Sequence, residues 1–287
     1  MKLMTILVLC GLWSIHCSGQ TDTLKAKEDT VKDKSTFTLG VSYSNNADYY
    51  GQKAQENIPY AAASATYRFR SGIYFSGLAY RLLNDSGAFV SASNIGAGFE
   101  FKLSKRFTGE IIYSHTFYPA YSPLLQASNP DNASASLTYD NWLSTKINLD
   151  YAFGKTTDQF VTAGTGKQVK LGSISQKDMI TITPAVDVVG GTQHFYQTYI
   201  TEKNLRDSLL GVILSPVTGS PPSQGSAKTT ITTEFNILSY NFKLPLSYYR
   251  ASYVFQVNYQ LSVLSGKAQS GAGKVNSFFT AGFYYQF

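Results

Sequence analysis

The chain has 287 residues, with 24 Lys and Arg against 18 Asp and Glu for a net charge of +6, and it is 14% aromatic but only 15% charged. The basic residues are scattered rather than clustered, which excludes a nucleic-acid surface as the organising feature. Both cysteines, Cys10 and Cys17, lie close to the amino-terminus, so the rest of the chain has neither a disulfide framework nor a cysteine metal site.

Met1-Lys2, the apolar run Leu3 to Trp13 and the small residues at Ser18-Gly19 predict a secretory signal peptide over residues 1–19, cleaved before Gln20. The run is short for a membrane span, and His16 stands where a lipid-attachment motif ending at Cys17 needs a small residue. Residues 20–34 read as a charged periplasmic leader, because Asp22, Lys25, Lys27, Glu28, Asp29, Lys32, Asp33 and Lys34 leave no apolar face.

From residue 35 to 287 no segment carries the uninterrupted apolar run of a membrane helix; apolar residues instead alternate with polar or small ones, the period of a strand with two unlike faces. Phe37, Leu39, Val41 and Tyr43 form the outward face of a first strand, followed by a polar loop from Asn45 to Pro59. A second strand puts Ala61, Ala63, Ala65, Tyr67 and Phe69 outward and Arg68 and Arg70 inward. A third is expected to carry Tyr74, Leu78, Tyr80 and Leu82 outward and Arg81 inward. After a loop around Asn84 to Gly87, a fourth strand shows Ile95, Ala97, Phe99, Phe101 and Leu103 opposite Glu100 and Lys102. The fifth shows Phe107, Ile111, Tyr113 and Phe117 opposite Glu110.

Tyr118 to Asn141, with Pro119, Pro123 and Pro130, reads as a long loop, and a sixth strand follows with Ile147, Leu149, Tyr151 and Phe153 opposite Lys146, Asn148 and Asp150. A seventh strand near Gln159 to Leu171 and a ninth near Thr192 to Ile200 keep no single parity. The eighth sets Ile180, Ile182, Val186 and Val188 against Asp187. Thr201 to Thr230, rich in Ser, Gly and Pro, is expected to be an extracellular loop. The tenth strand presents Leu238, Tyr240, Phe242, Leu244 and Leu246, with Lys243 inward and a bulge expected near Ile237. The eleventh alternates cleanly from Tyr253 to Val263. Pro184 and Pro245 fall inside these strands, where each removes a ladder hydrogen bond.

The last strand puts Phe279, Ala281, Phe283, Tyr285 and Phe287 on one face and ends on an aromatic residue. With the signal peptide and the alternation, this pattern resembles the outer-membrane β-barrels of Gram-negative bacteria. The resemblance implies an all-β fold, a transmembrane antiparallel barrel of about twelve strands located in the bacterial outer membrane. It also implies lipid and lipopolysaccharide as surroundings, and Phe283, Tyr285 and Phe287 as a signal to the barrel-assembly machinery.

The inward set Arg68, Arg70, Arg81, Glu100, Lys102, Glu110, Lys146, Asp150, Asp187 and Lys243 carries both signs. It reads either as a selectivity ring for a polar solute or as charges that pair across the interior and stiffen it. A channel or transporter for small polar solutes is the leading expectation, and a non-catalytic structural or assembly component with a plugged lumen is the alternative. No catalytic residue, metal or cofactor is assigned. An outer-membrane lipid hydrolase is a further, weaker alternative: His115 is weighed as its base and read as an interfacial residue, since Ser114 faces away from it, while His194, weighed as a ligand at a loop or strand end, is read as one imidazole among interfacial aromatics.

Overall fold

The computed structural model describes residues 34–84, 89–120, 122–196, 198–203, 234–269 and 274–287. The predicted signal peptide, the leader as far as residue 33, nearly all of the 201–230 insert and most of the 84–87 loop lie outside them. The strands are β1 (Thr36–Ser44), β2 (Tyr60–Arg68), β3 (Ile73–Leu82), β4 (Ala92–Lys102), β5 (Phe107–Phe117), β6 (Asp131–Asp140) and β7 (Ser144–Phe153). They continue as β8 (Thr157–Gly166), β9 (Val169–Gly172), β10 (Asp178–Ile182), β11 (Ala185–Gly191), β12 (Asn236–Arg250), β13 (Tyr253–Leu264) and β14 (Val275–Gln286).

Each strand from β1 to β7 pairs antiparallel with the next, β8 pairs with β11, β11 with β12, and β12 to β14 follow in order. The ring closes where β14 returns to β1, from Thr38 opposite Gln286 to Ser44 opposite Thr280. β9 and β10 continue β8 and β11 with the register kept across the junction, Gly166 opposite Ala185 and then Val169 opposite Ile182, before it shifts between Thr181 and Ile180. The wall is therefore a closed barrel of 12 strands. Closure leaves no free edge along the wall and satisfies the ladder within the protein, as a strand crossing lipid requires.

The two faces differ in kind. Leu39, Val41, Ile95, Ile111, Leu149, Phe242, Phe255 and Phe279 are all at least 40% exposed on the outside, whereas Asn148, Asp150, Asn241, Gln260 and Ser262 are buried on the inside. A soluble barrel would hide the first group and wet the second. This inversion belongs to a barrel whose exterior meets hydrocarbon. Connections at the end that holds both termini span two to five residues. Those at the other end span nine or more, except the three-residue turn 154–156.

Three expectations change. The supposed loop Tyr118 to Asn141 contains β6, whose outward residues include Ala133 and Ala135, too small to mark an apolar face. The expected ninth strand is helical at 194–196 and 198–203; Phe195, Tyr196, Tyr199 and Ile200 recur at helical spacing and pack into the internal core. One missed strand and one supernumerary strand cancel, which is why the expected number still holds. The third strand is inverted: Ile73 and Phe75 are exposed, while Tyr74 and Leu82 are 3% exposed and face inward.

Both prolines fall in one seam. Pro184 separates β10 from β11, and Pro245 on β12 lies opposite its neighbour Thr183, whose N–H donates to the Pro245 carbonyl at 2.9 Å. The two ladder bonds they cannot make are neighbours, so the disruption is confined to one place. Beyond it the β9–β10 hairpin projects past the β6–β7 turn and stays attached through β12 alone. The expected bulge sits at Leu238, where the β11–β12 register shifts.

Candidate functional site

The interior is filled from the long-loop end by the chain's own loops. After β1, Asn46 gathers the stem of loop 45–59: its Oδ1 accepts from Ala47 N and Ile58 N, and its Nδ2 donates to Asn57 Oδ1 at 3.2 Å. The tip is a tight hairpin in which Tyr49 and Gln52 exchange backbone bonds and Gly51 N donates to Asp48 Oδ1. Tyr50 and Gly51 take φ of 55° and 80°, the left-handed pair a two-residue hairpin turn needs. Gly51 has a second reason: a Cβ there would lie 2.5 Å from Ser239 Oγ.

This tip is bonded to the wall on one side and packed on the other. Ser239 Oγ donates to Tyr50 O at 2.8 Å, Asn276 Nδ2 to Gly51 O at 2.9 Å and Gln260 Nε2 to Asp48 Oδ2 at 2.8 Å. Opposite, Tyr50 stacks on Phe160 of β8 and Tyr49 meets Phe195 edge-on at 4.8 Å. Burial pushes the Asp48 carboxyl above its ordinary value, against the lowering pull of Lys243, the Gln260 amide and the Gly51 N–H.

Asp158, at the start of β8 and fully buried, fastens the helical segment. Its Oδ1 accepts from His194 N at 2.7 Å and Thr192 Oγ1, and its Oδ2 from Phe195 N and Asn129 Nδ2, each at 2.8 Å. A carboxylate over the first amides of a helix is a capping arrangement, here supplied by the barrel wall. Loops 45–59 and 118–130 and the helical segment thus converge on one apolar core that includes Tyr49, Leu124, Leu125, Phe160 and Phe195.

Closer to the short-turn end the inner wall carries charge. Arg68 meets Glu100 at 3.1 Å and lies over the Tyr74 ring, Tyr74 OH donates to Glu110 at 2.8 Å, and Lys146 approaches Glu110 at 3.5 Å. Lys146 is 45% and Glu100 36% exposed, so this half is open to water. Lys243 and Asp187 pair at 2.6 Å across β12 and β11; Asp150 lies nearer the long-loop end, level with Phe160, and is buried against Ser134 and Asn148. Arg70 lies in the exposed turn after β2, and Lys102 is exposed at the end of β4. Arg81 does not line the interior: it shares the outward face of Ile73 and Phe75 and extends over the Phe89 ring. The inversion of β3 moves it there.

His115 Nδ1 lies 2.8 Å from Asp131 Oδ1, which also accepts from Tyr113 OH at 2.6 Å, all on the outer face. Ser114 is on the other side of the sheet, beside Tyr49 and Tyr50 in a small internal cavity. His194 is held by Asp158 at 3.1 Å. Among the described residues no group of three or more His, Cys, Asp or Glu side chains is arranged for a metal. Phe283 and Tyr285 face outward, and Phe287 packs on Tyr285 and Phe37 while its N–H donates to Phe37 O.

No protein-family model and no curated protein matches the chain. Among solved structures it is similar to KdgM porin at 10% identity, covering 87% of this chain and 99% of that one with a TM-score of 0.49. It is similar to LpxR from Salmonella typhimurium at 7% identity, covering 86% and 99%, TM-score 0.46. It is also similar to the COG4313 outer membrane channel from Pseudomonas putida F1 at 10% identity, covering 91% and 100%, TM-score 0.42. The closed ring and the inverted faces are those of a transmembrane β-barrel.

Proposed function

We propose that the chain is a bacterial outer-membrane channel for small polar solutes, held shut at its outer end by loop 45–59 and the helical segment after β11. The long-loop end is then extracellular and the short turns periplasmic. One observation carries the reading: the tip of loop 45–59 rests on the wall through separate hydrogen bonds from Ser239, Gln260 and Asn276, above a water-exposed, charge-lined inner half. Such bonds exchange with water at about 0.5–1.5 kcal/mol each, so the closure is reversible. The outward aromatics of β14 serve recognition by the assembly machinery, and the apolar exterior meets lipid and lipopolysaccharide.

A stable plug with no transport is the competing reading, favoured by the stacking of Tyr50 on Phe160. Conductance separates the two. Asn46 and Asn57 already touch, so residues 47–56 can be replaced by Gly-Gly without stretching the stem. In planar bilayers the shortened protein is expected to show steady single-channel steps where the full chain opens rarely. Silence from a folded shortened protein would assign the barrel to the structural class.

A further inference from the structure

The wall beneath the loop tip turns donors toward it, beside the Lys243–Asp187 pair. Ser239, Gln260 and Asn276 each give a hydrogen to the tip, and the Lys243 ammonium acts on Asp48 from the same face. The tip answers with acceptors only at these contacts: the Tyr50 and Gly51 carbonyl oxygens and the Asp48 carboxylate. Complementarity of this kind, three donors at the contacts on one side and two carbonyls and a carboxylate on the other, describes a recognition site as well as a loop contact.

A second observation points to a ligand. Asn241, between Ser239 and Lys243 on the inner face of β12, is 1% exposed, yet neither its Nδ2 nor its Oδ1 has a partner. Asn258 Oδ1, on the inner face of neighbouring β13, has none either and belongs to a residue 9% exposed. Buried amides without partners are uncommon, because each forfeits its hydration for nothing in return. Gly51 brings the tip onto Asn241 without offering it a group to bond. The tip therefore uses part of the wall's bonding capacity and leaves the rest unused.

We propose that Ser239, Asn241, Lys243, Gln260 and Asn276 form a binding site for a small carboxylate-bearing, hydroxylated solute, which loop 45–59 occupies as an internal stand-in until the solute displaces it. The carboxylate takes the place of the Asp48 side chain on Gln260, within the field of Lys243. Hydroxyl groups take the place of the Tyr50 and Gly51 carbonyls and also supply Asn241, which the loop cannot. The inference rests on the channel reading, and solute and loop compete for one surface. A ligand that binds only the undocked state shifts the population toward it in proportion to that differential affinity.

The test uses the full chain in planar bilayers with chloride as current carrier, to which gluconate or its uncharged analogue sorbitol is added. Gluconate is expected to raise the open time by about tenfold in a saturable manner, a differential free energy of about 1.4 kcal/mol, and sorbitol to leave it nearly unchanged. Gln260→Leu and, separately, Asn276→Ser are expected to weaken the gluconate response, with folding checked by migration of the unheated barrel on gels. The Gly-Gly shortened protein, already open, gains nothing. Equal responses to gluconate and sorbitol, or no gluconate response in a full chain whose shortened form conducts, would overturn the site while leaving the channel intact. A silent shortened form overturns both.

Discussion

Tyr50 and Phe160 stack with ring centroids 3.7 Å apart and planes 15° from parallel, one at the tip of loop 45–59 and the other on wall strand β8. Phe160 is 1% exposed, so the contact is dry. Replacing a buried Phe by Ala costs roughly 3–5 kcal/mol. Because the β8 backbone ladder is untouched by Phe160→Ala, the loss falls mainly on loop docking. Trypsin is expected to cut at Lys53 in this variant far faster than in the native protein while the barrel resists. Unchanged cleavage would mean that the stack does not hold the loop.

Asp158→Asn keeps the shape of a side chain that accepts four hydrogen bonds besides its contact with the His194 ring, but turns one oxygen into a donor facing other donors. Hydrogen bonds to charged groups contribute about 1.5–3 kcal/mol each, so at least about 2 kcal/mol of local stability should go. Hydrogen exchange at residues 194–196 is the readout, with acceleration of roughly thirtyfold expected.

The ion pairs differ in consequence. Lys243 and Asp187 are 12% and 9% exposed, so Lys243→Met deprives a buried carboxylate of its ion-pair partner and should cost about 3–5 kcal/mol in urea unfolding from micelles. Adding Asp187→Leu is expected to recover most of it. Lys146→Met, at a site 45% exposed, should cost less than about 1 kcal/mol.

The strand positions were readable where large apolar residues alternate with polar ones, as in β1, β7 and β13. β6 was hidden because Ala133 and Ala135 carry little apolar signal, and β3 was inverted because Tyr74 and Leu82 serve an interior that is itself partly apolar. A barrel plugged by aromatic loops has two greasy faces near its mouth, so parity alone cannot assign them. Asp158 and the tip residues Asp48 to Gln52 were invisible as a site, since their partners lie as far as 225 positions away, as for Asn276 and Gly51. The prolines at 184 and 245 made sense only once their shared seam was known.

Loop docking should depend on pH through Asp48. Burial raises its carboxyl pKa in the docked loop above the ordinary 3.8 of the released one, so docking takes up a proton. The protonated contribution to closure is complete below the ordinary value and is lost as pH rises through the docked value. Open time is therefore expected to increase from acid toward neutral pH, and Asp48→Asn should flatten that dependence. A profile that rises toward acid would carry the wrong sign.

The strands turn their outward face to lipid and keep their inward face packed under the protein's own loops. Spin labels placed singly along β7 test this most directly, since Ile147, Leu149 and Tyr151 are 37–53% exposed while Asn148 and Asp150 are 7% and 4% exposed. In reconstituted bilayers the labels at 147, 149 and 151 should be relaxed by oxygen dissolved in the lipid, and those at 148 and 150 by neither oxygen nor a water-soluble nickel chelate. Relaxation of position 149 by the chelate, or loss of the two-residue period, would contradict it.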